Sequence, residues 1–276
     1  MSAMPELPEV ETVKNGLTPI TNAQIKQVIT RRDGLRYKFP DNLVDMLEGA
    51  IITKVWRRAK YLVIDLDNAN SLIIHLGMSG KILLGQPQEF KKHDHFILDF
   101  EDGQQLVFND ARRFGIVDIV KTDELAQCKY FNHLGPEPLD NNFNAGYLAA
   151  ALANKKAAIK VAIMDQEIVV GVGNIYAAEA LFRSKINPTK PANKINESKL
   201  ALLVDNIKVI LQEAITSGGS TLRDYVRSSG DMGYFQHQHY VYGREGKPCR
   251  ICDTPIKRIV QTGRSTFYCP NCQSLS

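Results

Sequence analysis

Cys249-Arg-Ile-Cys252, sixteen residues, then Cys269-Pro-Asn-Cys272 is the stretch on which the reading of this 276-residue chain turns. Two C-x-x-C knuckles at this separation let two turns bring four thiolates around one tetrahedral zinc. All four positions are filled by protein, so no site is left open for water. The spacing therefore predicts one structural Zn²⁺ held by Cys249, Cys252, Cys269 and Cys272. Such ligation shifts the formal net charge from +4 to about +2. Four of the five cysteines crowd into the last 28 residues, which argues against a disulfide framework. The fifth, Cys128, reads as a partly buried small side chain rather than a nucleophile.

Upstream of the knuckles the charge is uneven. Residues 1–144 carry 17 basic and 20 acidic side chains and residues 145–276 carry 17 and 10, so the halves stand at −3 and +7. A basic C-terminal half suits a polyanionic partner, because each cation near a phosphate releases counterions; a solvated surface gives the same count. Helical patterns run over residues 147–154, 174–183 and 197–216, with a short one from Thr221, and β-type runs flank the cysteines at 240–242 and 265–268. The breaker-rich Leu134-Gly-Pro-Glu-Pro-Leu139 reads as an interdomain link. Before it, residues 51–56, 61–66, 71–76, 95–100, 105–108 and 115–120 are short alternating segments separated by turn formers, a candidate β-sandwich or barrel. Pro8 to Leu17 predicts a first helix with Val10, Val13 and Leu17 on one face. The hydrophobic fraction of 44% is that of a globular protein, and no apolar run reaches the roughly 18 residues of a membrane span. The N-terminus lacks the basic and apolar regions of a secretory signal, which predicts a cytoplasmic protein.

A zinc ribbon alone fits many nucleic-acid proteins, and the N-terminus narrows the choice. Pro5-Glu-Leu-Pro-Glu-Val-Glu-Thr12 resembles, residue for residue, the opening of the formamidopyrimidine-DNA glycosylases. The resemblance implies an α+β fold: an N-terminal β-sandwich with flanking helices over 1–134, a linker over 135–146, a helix-two-turn-helix DNA-binding domain over 147–238 and a zinc ribbon over 239–276. It implies a monomer acting on damaged double-stranded DNA, excising oxidised purines and then cleaving the strand. In that family the proline is N-terminal and its secondary amine attacks C1′ of the damaged nucleoside, so Pro5 would be the nucleophile and Glu6 the acid. A terminal amine titrates near about 7.7–8.0, and a helix N-terminus lowers that further, so a neutral nucleophile is available at pH 7. Here Met1-Ser-Ala-Met4 precedes Pro5, and while those residues persist the Pro5 nitrogen is an amide. The expected active form starts at Met4 and loses it.

The same resemblance assigns Lys60, in Trp56-Arg-Arg-Ala-Lys-Tyr61, to DNA phosphate contact and β-elimination. Base excision within a duplex needs the nucleotide flipped out and the gap filled. His75-Leu-Gly-Met-Ser-Gly80 and Asn109-Asp-Ala-Arg-Arg-Phe-Gly115 resemble the loops that do so, with Met78 and Phe114 as apolar wedges and Arg112 reading the orphan base. Val170-Gly-Val-Gly-Asn174-Ile-Tyr is not a dinucleotide fingerprint, because Tyr176 stands where a third glycine is needed and no βαβ unit surrounds it. It reads instead as a glycine turn presenting N–H groups and the Asn174 amide to a phosphate. His93 and Lys156 match further phosphate-contact segments, and Arg264, between the knuckles, matches an arginine credited in δ-elimination. Gly218 to Phe235 resembles the loop that closes over a flipped base. Two rivals stand beside this reading: the related endonuclease VIII, which prefers oxidised pyrimidines, and a non-catalytic zinc-ribbon DNA-binding protein.

Overall fold

Residues 51–121 supply seven strands that, with one earlier strand, build two four-stranded antiparallel sheets. The computed structural model describes residues 4–218 and 239–275, which fall into two units, residues 4–132 with Gly218 and residues 133–217 with 239–275. The first unit opens with helix α1 (Leu7–Gly16), strand β1 (Ile25–Thr30) and short helix α2 (Leu43–Leu47). Strands β2 (Ile52–Arg58), β3 (Tyr61–Leu66), β4 (Asn70–His75), β5 (Lys81–Gly85), β6 (Asp94–Phe100), β7 (Gln105–Asn109) and β8 (Ile116–Lys121) follow. One sheet runs β2-β3-β4-β8 and the other β1-β6-β7-β5. Period-two alternation turns Leu62, Ile64, Leu72 and Ile74 of the first sheet, with Phe96, Leu98, Leu106 and Phe108 of the second, into one buried core. Each such side chain contributes about 1.5–3 kcal/mol by leaving water. With both sheets open at their edges, this is a sandwich rather than a barrel.

Six of these strands match the alternating segments to within a residue or two. The structure adds β1 and β5, both edge strands. β1 reads Ile-Lys-Gln-Val-Ile-Thr, and a register irregularity between Ile25 and Gln27 puts its buried Ile25 and Val28 three apart, so it lacks clean alternation. α1 begins one residue before the expected Pro8, with Pro8 in its first turn, and buries Val10 and Val13 as its pattern requires.

The second unit contains α3 (Ala145–Leu152), α4 (Ile159–Ile163), α5 (Asn174–Arg183), α6 (Glu197–Thr216) and the hairpin β9 (Lys257–Gln261) to β10 (Arg264–Tyr268). The Asn196 side chain caps α6 by accepting from Lys199 N–H at 2.9 Å, and Asn144 caps α3 by accepting from Tyr147 N–H at 3.0 Å. That cap starts α3 at Ala145, two residues ahead of the expected Tyr147. The β-type run 240–242 is not a strand: its three N–H groups donate to the buried Glu179 carboxylate of α5 at 2.8–3.0 Å. Burial raises the Glu179 pKa, and these three donors pull the other way. The helix expected from Thr221 and most of the loop from Gly218 to Phe235 lie outside the described residues. Among the described residues no helix is long and apolar enough to cross a membrane.

Candidate functional site

Pro5 is half-buried and stands immediately before Glu6, the N-cap of α1. Glu6 is only 3% exposed, and it forms a reciprocal capping box in which the Glu9 carboxylate accepts from Glu6 N–H at 2.9 Å. The positive end of α1 therefore faces Pro5. One turn along, Glu11 accepts from Arg57 Nε at 2.7 Å, while Arg57 also donates to the Ala59 carbonyl at 2.8 Å. Burial works against ionised Glu11, yet hydrogen bonds and charge from Lys14 and Arg57 hold its pKa below the usual range. Ala59 and Lys60 form the two-residue turn between β2 and β3, Ala59 at φ 54°, and Lys60 is half-buried at its tip. Arg57 thus ties the turn bearing Lys60 to the helix that begins after Pro5, a link the sequence reading missed.

The loops bearing Met78 and Arg112 lie against each other. Gly77 has φ +62°, and a Cβ there would stand 2.5 Å from the Phe114 carbonyl carbon, so only glycine permits this approach. Its N–H donates to His75 Nδ1 at 3.0 Å, which requires His75 to be unprotonated at that nitrogen. Burial first, then the Lys60 and Arg36 charges, push the His75 pKa down to about 4. Met78 is half-buried and Arg112 exposed, and Phe114 is 44% exposed with the Arg112 guanidinium 5.5 Å from its ring centre. The Phe114 ring is thus open to solvent beside the Arg112 guanidinium. His93 sits beside this region, its carbonyl accepting from Asp110 N–H at 2.9 Å.

In the second unit, Asn174 opens α5, and its Nδ2 donates to the Ser265 carbonyl at 3.0 Å. Lys160, 1% exposed, aims its ammonium at three acceptors: Asn174 Oδ1 at 2.5 Å, Thr266 Oγ1 at 2.8 Å and the Ser265 carbonyl at 3.1 Å. An ammonium has three donors, and these three acceptors match them in number. Arg264 is exposed beside the turn Thr262-Gly263, where φ is 45° and 75° as a tight hairpin demands. A cavity of about 280 Å³ brings Arg264 together with Lys155 and Lys160. Lys156, the residue expected from the sequence, is exposed between α3 and α4 and does not line that cavity.

The four ribbon cysteines place their Sγ atoms within 4.8 Å of one another. Sulfurs at about 2.3 Å from one tetrahedral ion lie about 3.8 Å apart, so this donor set fits a single zinc. Burial and neighbouring thiols raise the Cys269 and Cys272 pKa values, whereas hydrogen bonding to Thr254 and Asn271 lowers Cys252 to about 5. Cys249 and Cys269 also pack with Ala178 and Phe182 of α5, joining the ribbon to the helix headed by Asn174.

Three family models match the chain in order: the formamidopyrimidine-DNA glycosylase N-terminal domain over residues 4–117, its H2TH domain over 134–226, and a zinc finger found in FPG and IleRS over 246–275. The chain belongs to the formamidopyrimidine-DNA glycosylase family. The formamidopyrimidine-DNA glycosylase of Dinoroseobacter shibae is 48% identical, covering 98% of this chain and 100% of that one. That of Novosphingobium aromaticivorans is also 48% identical, with the same coverage. Among solved structures, the MutM (Fpg) protein of Thermus thermophilus superposes with a TM-score of 0.89 at 38% identity, over 99% of this chain and 100% of that one. The Lactococcus lactis Fpg bound to DNA containing an abasic site gives 0.91 at 36% identity, over 98% and 99%.

For a glycosylase of this family, the residues the sequence reading overlooked are those that orient others. Lys160 follows Ala-Ile in a short helix and looks like an ordinary surface lysine until Ser265 and Thr266, more than 100 positions away, close over it.

Proposed function

We propose that this chain excises oxidised purines from duplex DNA and then cleaves the strand, with Pro5 as nucleophile. The observation that carries the reading is the family match opening at Met4, one residue before Pro5, with Pro5 at the positive end of α1. Loss of the residues before Pro5 frees a secondary amine. Its lone pair forms the N–C1′ bond as the C1′–base bond breaks, and the departing base takes a proton. The sugar ring opens to an iminium, whose acidified C2′ proton is then removed, expelling the 3′ phosphate; a second elimination expels the 5′ phosphate. Glu6 is the acid at the sugar; it is buried at the N-cap of α1, one residue after Pro5. Lys60 and Arg264 bind phosphate and assist elimination. His93, Lys156 and Asn174 grip the backbone, while Met78, Arg112 and Phe114 fill the space left by the flipped nucleotide.

Zinc fixes the ribbon that carries Arg264 and takes no part in the chemistry. We assign residues 1–134 to the catalytic domain, 147–238 to DNA binding and 239–276 to the ribbon, joined by 135–146, in a cytoplasmic monomer. Endonuclease VIII, the pyrimidine-directed relative, is separated by substrate choice. Single-turnover excision from an 8-oxoguanine duplex should exceed that from a dihydrouracil duplex, and the reverse order would overturn the purine assignment.

A further inference from the structure

Asp110 is fully buried at the end of β7, directly before the Arg112 loop. Its Oδ1 accepts from the Ser79 hydroxyl at 2.7 Å and from Arg112 N–H at 3.3 Å, and its Oδ2 accepts from Gly115 N–H at 2.8 Å. The Ser79 oxygen in turn accepts from Arg112 N–H at 3.1 Å. One carboxylate therefore holds both ends of the turn that exposes Phe114 and, through Ser79, the residue after Met78. Met78 is fixed on its other side by Gly77, whose N–H is taken by His75. Between the two anchors of the second loop, Arg113 sits at φ 58°, a left-handed conformation that costs a non-glycine residue about 1 kcal/mol and persists where its surroundings impose it.

We propose that Asp110, acting through Ser79, is a positioning residue that joins the Met78 loop and the Arg112-Phe114 loop into one insertion unit. The chemical reason is acceptor count. A buried carboxylate has about four lone-pair sites and donates nothing, so it can receive donors from both loops at once. The two loops are 31 residues apart in sequence and meet in hydrogen bonds at this group. Wedge insertion and reading of the orphan base then become a single event, because neither loop moves without breaking a bond to Asp110. This inference rests on the reading of Met78, Arg112 and Phe114 as the inserting side chains.

The test compares two substrates. Excision of 8-oxoguanine from a duplex needs insertion, whereas cleavage of a single-stranded oligonucleotide carrying an abasic site does not. Ser79→Ala removes one hydroxyl and is expected to slow duplex excision about tenfold, the effect of one lost hydrogen bond that leaves a buried acceptor short. Its single-strand cleavage should stay within about twofold of the parent. The difference in excision rate between cytosine and adenine as the opposite base should shrink, and Ser79→Thr should retain the parent's behaviour on both measures. Asp110→Asn should act in the same direction, and combining it with Ser79→Ala should add nothing, as expected of two members of one linkage. Equal loss on both substrates would reduce Asp110 to a folding role and overturn the proposal, as would no loss on either. Should Asp110→Asn fail to fold, Ser79→Ala and its threonine rescue carry the test. Met78→Ala and Phe114→Ala serve as controls: if they leave duplex excision intact, the insertion reading fails and the proposal falls with it. If they slow excision while Ser79→Ala does not, the linkage alone is refuted.

Discussion

Replacing Lys160 by methionine nearly keeps the volume of the side chain, ends it one atom short of the ammonium and removes its three donors. Of the three acceptors, the Ser265 carbonyl retains Asn174 Nδ2 at 3.0 Å, and Thr266 Oγ1 still donates to Gln261 Oε1 at 2.8 Å. Neither retained bond involves Asn174 Oδ1, so the expected cost is that of one stranded acceptor, about 2 kcal/mol. Loss of the ammonium's own desolvation penalty works the other way and keeps the figure from rising to the sum of three charged bonds. In a unit of this size about 2 kcal/mol lowers the melting temperature by about 8 °C. The chain's single tryptophan, Trp56, lies in the first unit, whereas most of the helix lies in the second. Thermal unfolding of Lys160→Met should therefore move the far-ultraviolet circular dichroism transition more than the Trp56 fluorescence transition. Affinity for a duplex with an abasic analogue should fall with it, because the Asn174 amide is then held by its Ser265 bond alone. An unchanged dichroism transition, or equal shifts in both signals, would refute the role given to Lys160.

Metal analysis of the purified chain should return one zinc per molecule, and chelation should abolish DNA binding while leaving the Trp56 transition in place; full binding by metal-free protein would remove zinc from the account. Stability should also depend on His75. Its neutral form is native, while the unfolded chain takes up a proton below about 6.5, so its stabilisation is complete above that pH and is lost as pH falls towards 4. After allowance for partial exposure this amounts to about 2 kcal/mol. Urea unfolding at successive pH values should show a shallower acid-side slope for His75→Asn than for the parent, and identical slopes would contradict the assignment. Arg264→Ala, altered at an exposed hairpin tip, should spare base excision more than strand cleavage in a gel assay that resolves the two; equal losses would exclude a specific part in elimination.

Six strands were legible in the sequence as short runs rich in apolar and β-branched residues between turn formers, even though Val63, Ile73 and Ile97 are buried on the face opposite the main core, and the ribbon was legible because four thiols at fixed spacing have few other uses. β1 and β5 were not: a bulge breaks the alternation in β1, and β5 has only five residues, of which Ile82 alone is buried. The run Tyr240-Val-Tyr242 misled for a physical reason: aromatic and β-branched residues favour extended backbone, but Glu179, 61 positions earlier, supplies the acceptors that a neighbouring strand would have offered. Motif residues such as Lys60 and Met78 could be named from local sequence alone. Arg57, Asp110 and Lys160 could not, because each owes its role to partners 31 to 106 residues distant.

Borohydride trapping on an 8-oxoguanine duplex, with N-terminal sequencing of the same protein, tests the central claim most directly. Protein beginning at Pro5 should give a covalent protein–DNA adduct that fails to form when the residues before Pro5 are retained. Free Pro5 without an adduct would contradict the amine mechanism and leave a zinc-ribbon protein that binds DNA without this chemistry.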